Sequence, residues 1–343
     1  MIGNKVEIRP FEDCIKKVKY TNKVAGQDFK SSGRYPIVSQ EEAFISGYWD
    51  NPDDVFHING PVVIFGDHSR HVKYVDFDFV IGADGVKILA PVDDINAKFF
   101  YYYLKSQRIQ SLGYSRHYKV LKEKMVPVPS LADQQRIVAE LDLLSSIVEK
   151  KNAQIKTLDD LAMSIFAETF EHGNHCWEEM LLEDCINKVK YTTKLQTKDF
   201  LKKGRFPIVS QEEDYVSGYW NRSEDVFRIK KPVVVFGDHT RVLKYIDFDF
   251  VLGADGVKIL EPIDDLHPQY FYYFLRSNPV ENLGYSRHFK LLKEKRVVIA
   301  PMTMQKEFAE KIQSINKQKK SIDSSLKTAK DLFASRMDQY FNA

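Results

Sequence analysis

The sequence predicts an α+β fold: one mixed α/β domain written twice, the copies separated by two long helices that pair as an antiparallel intramolecular coiled coil. Three observations predict it. The segment 182–297 repeats the segment 11–126 without a gap at a constant offset of 171 residues, as in Cys14 and Cys185 or Gly113 and Gly284. Roughly 60% of the paired residues are identical, which marks a duplication. Inside each copy, short β-branched and aromatic runs are bounded by Gly, Pro and Asp. After each copy the pattern changes to a long stretch rich in Lys, Glu, Gln, Leu and Ile, with no Pro or Gly.

A chain of 343 residues is long enough for two domains that each bury a core. Two copies are too few for a solenoid, so each copy is expected to stand by itself. Apolar residues make up 43% and charged residues 29%, the balance of a globular protein, and no apolar stretch approaches the length of a membrane span. The first residues carry no export signal, so a cytoplasmic location is expected. Cys14, Cys176 and Cys185 form no CxxC pair, which points to reduced structural thiols and to no metal site. The net charge of +2 is too small to identify a partner by composition.

Pro61–Phe65, Tyr74–Ile81 and Gly85–Leu89 read as strands. Asn96–Lys105 follows an Asp-Asp turn and carries aromatic residues at helical spacing, so it reads as a short helix packed on the sheet. In the last long stretch, Phe308, Ile312, Ile315, Lys319, Ile322, Leu326, Ala329, Phe333, Arg336 and Tyr340 alternate spacings of four and three, a heptad seam. The matching positions of the first are Ile137, Leu141, Leu144, Val148, Lys151, Ile155, Leu158, Ala162, Ile165 and Thr169. Each helix needs a partner for its apolar stripe, and the other helix of the same chain supplies one. The alternative is that each helix folds back on its own domain.

Several motifs together carry a family resemblance. Each copy opens with Leu/Phe-Glu-Asp-Cys-Ile, passes through Tyr35-Pro-Ile-Val-Ser-Gln40 and Gly66-Asp-His-Ser-Arg70, and reaches Leu112-Gly-Tyr-Ser-Arg-His117. Pro127-Val-Pro-Ser-Leu-Ala-Asp-Gln-Gln-Arg-Ile137 then leads into the helix, with Ala300-Pro-Met-Thr-Met-Gln305 as a looser counterpart. The chain resembles the specificity subunit of type I restriction-modification enzymes, in which target recognition domains and spacer helices alternate. The resemblance implies recognition domains at 1–129 and 173–300 and spacer helices at 130–172 and 301–343. It further implies antiparallel helices, a pseudo-twofold relation between the domains, and a bipartite double-stranded DNA target. Two methyltransferase subunits and restriction (translocase and nuclease) subunits would be the protein partners. These partners, and not this chain, would use S-adenosylmethionine, ATP and Mg.

The residues agree with a chain that is not an enzyme on its own. No Pro-Pro occurs anywhere, so the Asn/Asp-Pro-Pro-aromatic grip of an adenine methyltransferase is absent, as is a G-x-x-x-x-G-K-[ST] phosphate loop. Glu149-Lys-Lys151 has the look of a nuclease Glu-x-Lys, yet it lies on a helix. No catalytic residue and no metal ligand is therefore assigned.

Candidates for DNA contact are basic, polar and aromatic residues in turns. Lys19 and Tyr20 recur as Lys190 and Tyr191 within lysine clusters suited to phosphates. Gln40 recurs as Gln211, and Gln can bond adenine bidentately. Asp67, His68, Ser69 and Arg70 recur as Asp238, His239, Thr240 and Arg241, a turn whose Arg suits guanine and whose Asp suits cytosine. Arg116, His117 and Lys119 recur as Arg287, His288 and Lys290 beside aromatic residues. Because these side chains match, the two half-sites are expected to match, giving a near-palindromic target. The competing reading is a duplicated enzyme or ligand-binding module dimerised through its own coiled coil.

Overall fold

A computed structural model of the chain describes residues 6–110, 113, 115–172, 176–253, 256–284 and 286–342. The chain forms two units, Met1–Lys151 with Ser324–Ala343, and Asn152–Asp323. Each contains one copy of the repeat, the first half of the helix that follows it, and the last half of the other long helix.

In the first unit the strands are β1 (Glu7–Pro10), β2 (Ile15–Lys16), β3 (Lys23–Val24), β4 (Tyr35–Val38), β5 (Gly47–Trp49), β6 (Val55–Phe56), β7 (Val62–Gly66), β8 (Val72–Val75), β9 (Phe79–Gly82) and β10 (Val86–Pro91). They are followed by α1 (Ala97–Ser106), α2 (Tyr118–Lys122), β11 (Met125–Val128) and α3 (Leu131–Phe170). An antiparallel sheet has the order β2-β10-β7-β8, and a mixed sheet has the order β3-β9-β4-β5 with β6 on β9. β1 pairs with β11.

Period-2 alternation on β7 explains the layering. Val63 and Phe65 join Phe99, Phe100 and Tyr103 of α1 in one core. Val62 and Ile64 point the other way, meeting Val38, Phe79 and Ile81 of the mixed sheet in a second core. Both faces of β7 are thus buried, which is why it reads as a continuous apolar run. The run Tyr74–Ile81, expected as one strand, is two: β8 and β9 are separated at Asp76-Phe77-Asp78. The break is held by Asp78, whose carboxylate accepts from Ile58 N at 2.9 Å and meets His57 Nδ1 at 2.7 Å. Asn96 caps α1 by accepting from Lys98 N and Phe99 N.

The second unit repeats this plan with β12 (Glu178–Leu181), β13 (Ile186–Asn187), β14 (Lys194–Leu195), β15 (Phe206–Val209), β16 (Gly218–Trp220), β17 (Val226–Phe227), β18 (Val233–Gly237), β19 (Leu243–Ile246), β20 (Phe250–Gly253) and β21 (Val257–Pro262). Then come α4 (Pro268–Ser277), α5 (Phe289–Lys293), β22 (Arg296–Ile299) and α6 (Met302–Phe341).

A buried glutamine locks each long helix to its domain. Gln134 Oε1 accepts from Asn96 N at 2.7 Å, while its Nε2 donates to Asp94 O and Pro129 O. Gln305 does the same with His267 N, Asp265 O and Ala300 O. One side chain thereby ties a helix start to the start of α1 or α4, although the sequences leading into the two helices differ.

The antiparallel pairing expected of the long helices holds within each unit. Within the second unit α3 and α6 run antiparallel: Phe170 meets Phe308 at one end, and Asp159 accepts from Lys319 at 2.7 Å further along. In the first unit Glu140 pairs with Arg336 at 2.8 Å. The helices also enter the domain cores, where Phe341 packs on Phe99 and Tyr103, and Phe170 on Tyr270. The heptad seam is corrected at the helix ends. Phe166, Phe170, Met337 and Phe341 are buried, in place of Ile165, Thr169, Arg336 and Tyr340. A straight helix drifts about 20° per heptad from a 3.5-residue repeat, so apolar residues one place on come to face the domain. Among the described residues no helix is long and apolar enough to cross a membrane.

Candidate nucleic-acid interface

The candidate residues lie on four separate stretches of sequence, and the first unit brings them together through its turns. The β7–β8 hairpin is closed by Arg70 N donating to Gly66 O at 2.7 Å and Gly66 N donating to His71 O at 2.9 Å. The tightness of this turn requires glycine at Gly66, where a Cβ would lie 2.2 Å from Ser69 Oγ. It also places Arg70 in the left-handed region, at φ 65°.

Asp67 is the hub. Its backbone N donates to Gly85 O at 2.7 Å, its backbone O accepts from His117 N at 2.8 Å, and its Oδ1 accepts from Tyr118 N at 2.8 Å. The carboxylate thus caps the start of α2, where exposed helix N–H groups favour a negative charge. Lys87 Nζ lies 3.7 Å from Asp67 Oδ2 and 5.5 Å from the centroid of the Tyr118 ring. The second unit repeats the arrangement, with Phe289 N on Asp238 Oδ1 at 2.8 Å and Lys258 at 3.6 Å.

This geometry corrects several assignments. Asp67 and Asp238 are 2% and 3% exposed, so they brace a turn and do not present a carboxylate to a cytosine. His117 and His288 are fully buried, each Nδ1 lying 3.0 Å from the carbonyl of Asp67 or Asp238, so they are pins and not contact residues. Gln40 uses both ends of its amide internally: Oε1 accepts from His68 N at 3.1 Å and Nε2 donates to Asp84 O at 2.9 Å. The bidentate grip on adenine is closed to it in this conformation. Gln211 Oε1 likewise accepts from His239 N at 3.3 Å. Ser69 and Thr240 donate to the carbonyls of Gln40 and Gln211. A buried residue repeated in both copies carries the same sequence signature as a repeated reading residue, so the sequence could not separate them.

The remaining candidates reach the surface. Lys19, Arg116 and Lys119 are exposed, as are Lys190, Arg287 and Lys290. The rings of Tyr20 and Tyr191 are 38% and 39% exposed, while their hydroxyls accept from Ile88 N and Ile259 N. Lys23 and Lys194 sit over these rings at 5.5 and 5.3 Å. Arg70 is exposed, its guanidinium donating to Ile109 O at 2.9 Å; Arg241 is half-buried and donates to Val280 O. His68 and His239 are half-buried beside them. Tyr114 and Tyr285, which flank the Arg116 and Arg287 motifs, lie outside the described residues.

Sequence reasoning passed over one group. Lys73 is buried, with Nζ donating to Ser39 O at 2.9 Å and to Ala43 O at 2.5 Å; Lys244 donates to Ser210 O and Asp214 O at the same distances. Burial pushes both amines below the ordinary lysine value. They hold the β4–β5 and β15–β16 loops, and only their identity in both copies hinted at it. Among the described residues no group of three or more His, Cys, Asp or Glu is placed to hold a metal.

Each unit therefore presents basic and aromatic loops braced from beneath by buried polar residues. A family model, the type I restriction modification DNA specificity domain, matches residues 5–157. The match spans the first copy of the repeat and the first part of the helix that follows it, and the second copy repeats the same sequence pattern at an offset of 171 residues.

The chain is also 30% identical over 101 residues to the Type I restriction enzyme EcoR124I/EcoR124II specificity subunit of Escherichia coli, a match spanning 28% of this chain and 25% of that subunit. In fold it is similar to the S subunit of a type I restriction-modification system from M. genitalium, with a TM-score of 0.62 at 17% identity, over 98% of this chain and 96% of that one. A chain from a structure of type I R-M complex assembly and conformational transition aligns with a TM-score of 0.50 at 14% identity, over 99% of this chain and 98% of that one.

Proposed function

We propose that this chain is the DNA-reading specificity subunit of a type I restriction-modification complex. It binds a bipartite double-stranded target through its two recognition domains and carries two methyltransferase subunits and, with them, the restriction subunits. The observation that supports this most is the repetition of one braced, basic loop set in both copies of a family domain. The chain has no catalytic part of its own on this reading; S-adenosylmethionine, ATP and Mg serve its partners.

Because Arg70, Arg116 and Lys119 match Arg241, Arg287 and Lys290, the two half-sites match and the target is close to an interrupted palindrome. The test is a mobility-shift and methylation assay on a random duplex pool with S-adenosylmethionine, with and without the cognate methyltransferase subunits. Adenine methylation at one selected sequence is expected only when both proteins are present. Methylation by this chain alone, or a complex that selects no sequence, would overturn the reading.

A further inference from the structure

The two copies differ most in charge at one edge of the mixed sheet. Ser31, Ser32, Asn51, His57 and Asn59 of the first unit are replaced by Lys202, Lys203, Arg222, Arg228 and Lys230 in the second. The first unit has a Lys30–Asp50 ion pair at 2.8 Å, whereas the second has Leu201 and Asn221 at those positions. The exchange adds five positive charges to the second unit, and none of these positions gains an acid.

The added cations gather on one surface. Arg205 N donates to Trp220 O at 3.1 Å and to Asn221 Oδ1 at 3.0 Å, which ties the Lys202–Lys203 loop to the strand leading into Arg222. The guanidinium groups of Arg205 and Arg228 lie 5.1 and 5.7 Å from the centroid of the Phe206 ring. Asp249 takes one bond from Arg228 and Glu224 one from Arg222, yet those side chains remain 60% and 64% exposed. Lys202, Lys203 and Lys230 are exposed as well. Since the fold and the bracing are the same in both units, the first unit is an internal control: the charge is not needed to build this edge.

We infer that this edge of the second unit grips the DNA backbone flanking its half-site, a contact that the first unit lacks. The inference rests on the DNA-reading function proposed above. Lysine serves phosphates as a point charge and carries no base information, so the addition strengthens binding without altering the sequence read. Binding is therefore asymmetric although the half-sites match.

The test replaces Lys202→Ser with Lys203→Ser, the residues the first unit already accommodates, in the complete methyltransferase complex. Binding to target duplexes is titrated with salt, with the flanking DNA present on both sides or trimmed from one. Removing one lysine from a phosphate is expected to lower the slope of log K against log salt by about 0.9, so the slope falls by about 2 for the pair. Trimming the flank on the second unit's side should then cost wild type more than the variant. The reciprocal Ser31→Lys with Ser32→Lys variant should steepen the slope. Wild-type selectivity for the target with an unchanged slope in the double variant would overturn this inference alone. Absence of wild-type selectivity would instead overturn the proposed function. A variant that binds DNA normally but fails to recruit restriction subunits would make the edge a protein interface and also overturn it.

Discussion

Replacing Arg116→Ala together with Arg287→Ala is expected to weaken binding of the complete complex to its target by about 2 to 6 kcal/mol, at about 1 to 3 kcal/mol for each base contact. Both arginines are exposed and follow on from turns that are fixed beneath them, by His117 and Asp67 in one unit and by His288 and Asp238 in the other. A side chain on a braced loop loses little entropy on binding, which favours a strong contact. The single Arg116→Ala change should relax one half-site and leave the other intact. Anisotropy titrations against targets mismatched in one half-site separate the cases. If phosphate is the partner, all sequences weaken alike and the salt slope falls by about one per arginine. Unchanged affinity and slope would place these arginines away from DNA.

Asp67→Ala should destabilise the first unit by about 2 to 3 kcal/mol. It removes a hydrogen bond to a buried carboxylate that caps α2 and leaves Tyr118 N without its acceptor. Screening of Lys87, which is about a third exposed at its side chain, keeps the loss below that of a fully buried pair. At about 2 to 4 °C per kcal/mol for a domain of this size, the melting temperature should fall by about 4 to 12 °C. Asp67→Asn retains an oxygen at Oδ1 and should recover most of the difference. Scanning calorimetry of the full chain checks this, and an alanine variant that melts like wild type would refute the bracing role. DNA binding should fall in parallel, because α2 positions Arg116 and Lys119.

Much of this architecture was legible in the sequence because it is written in periodicity. The apolar run at Val62–Phe65 marked a buried strand, and the unbroken offset of 171 residues marked the duplication. Tyr74–Ile81 misled because both of its halves are strands, and the break depends on Asp78 reaching back to Ile58, a contact distant in sequence. The heptad misled at Ile165 and Arg336 because a strict repeat assumes a helix partner, whereas those helix ends pack on α4 and α1. The candidate site was legible as a set of loops but not residue by residue. Gln40, Asp67 and His117 have the chemistry of reading residues, and only burial of Asp67 and His117 and the internal hydrogen bonds of the Gln40 amide distinguish them from Arg116.

If two braced copies of one domain read two copies of one half-site, the pattern of methylation carries the signature. Mapping the methylated adenines across a genome that holds the complete system is the most direct test. The expected result is a single bipartite motif whose two halves are the same length and read alike on opposite strands. Two unrelated half-sites would contradict it, because residues outside the matched loops would then be doing the reading.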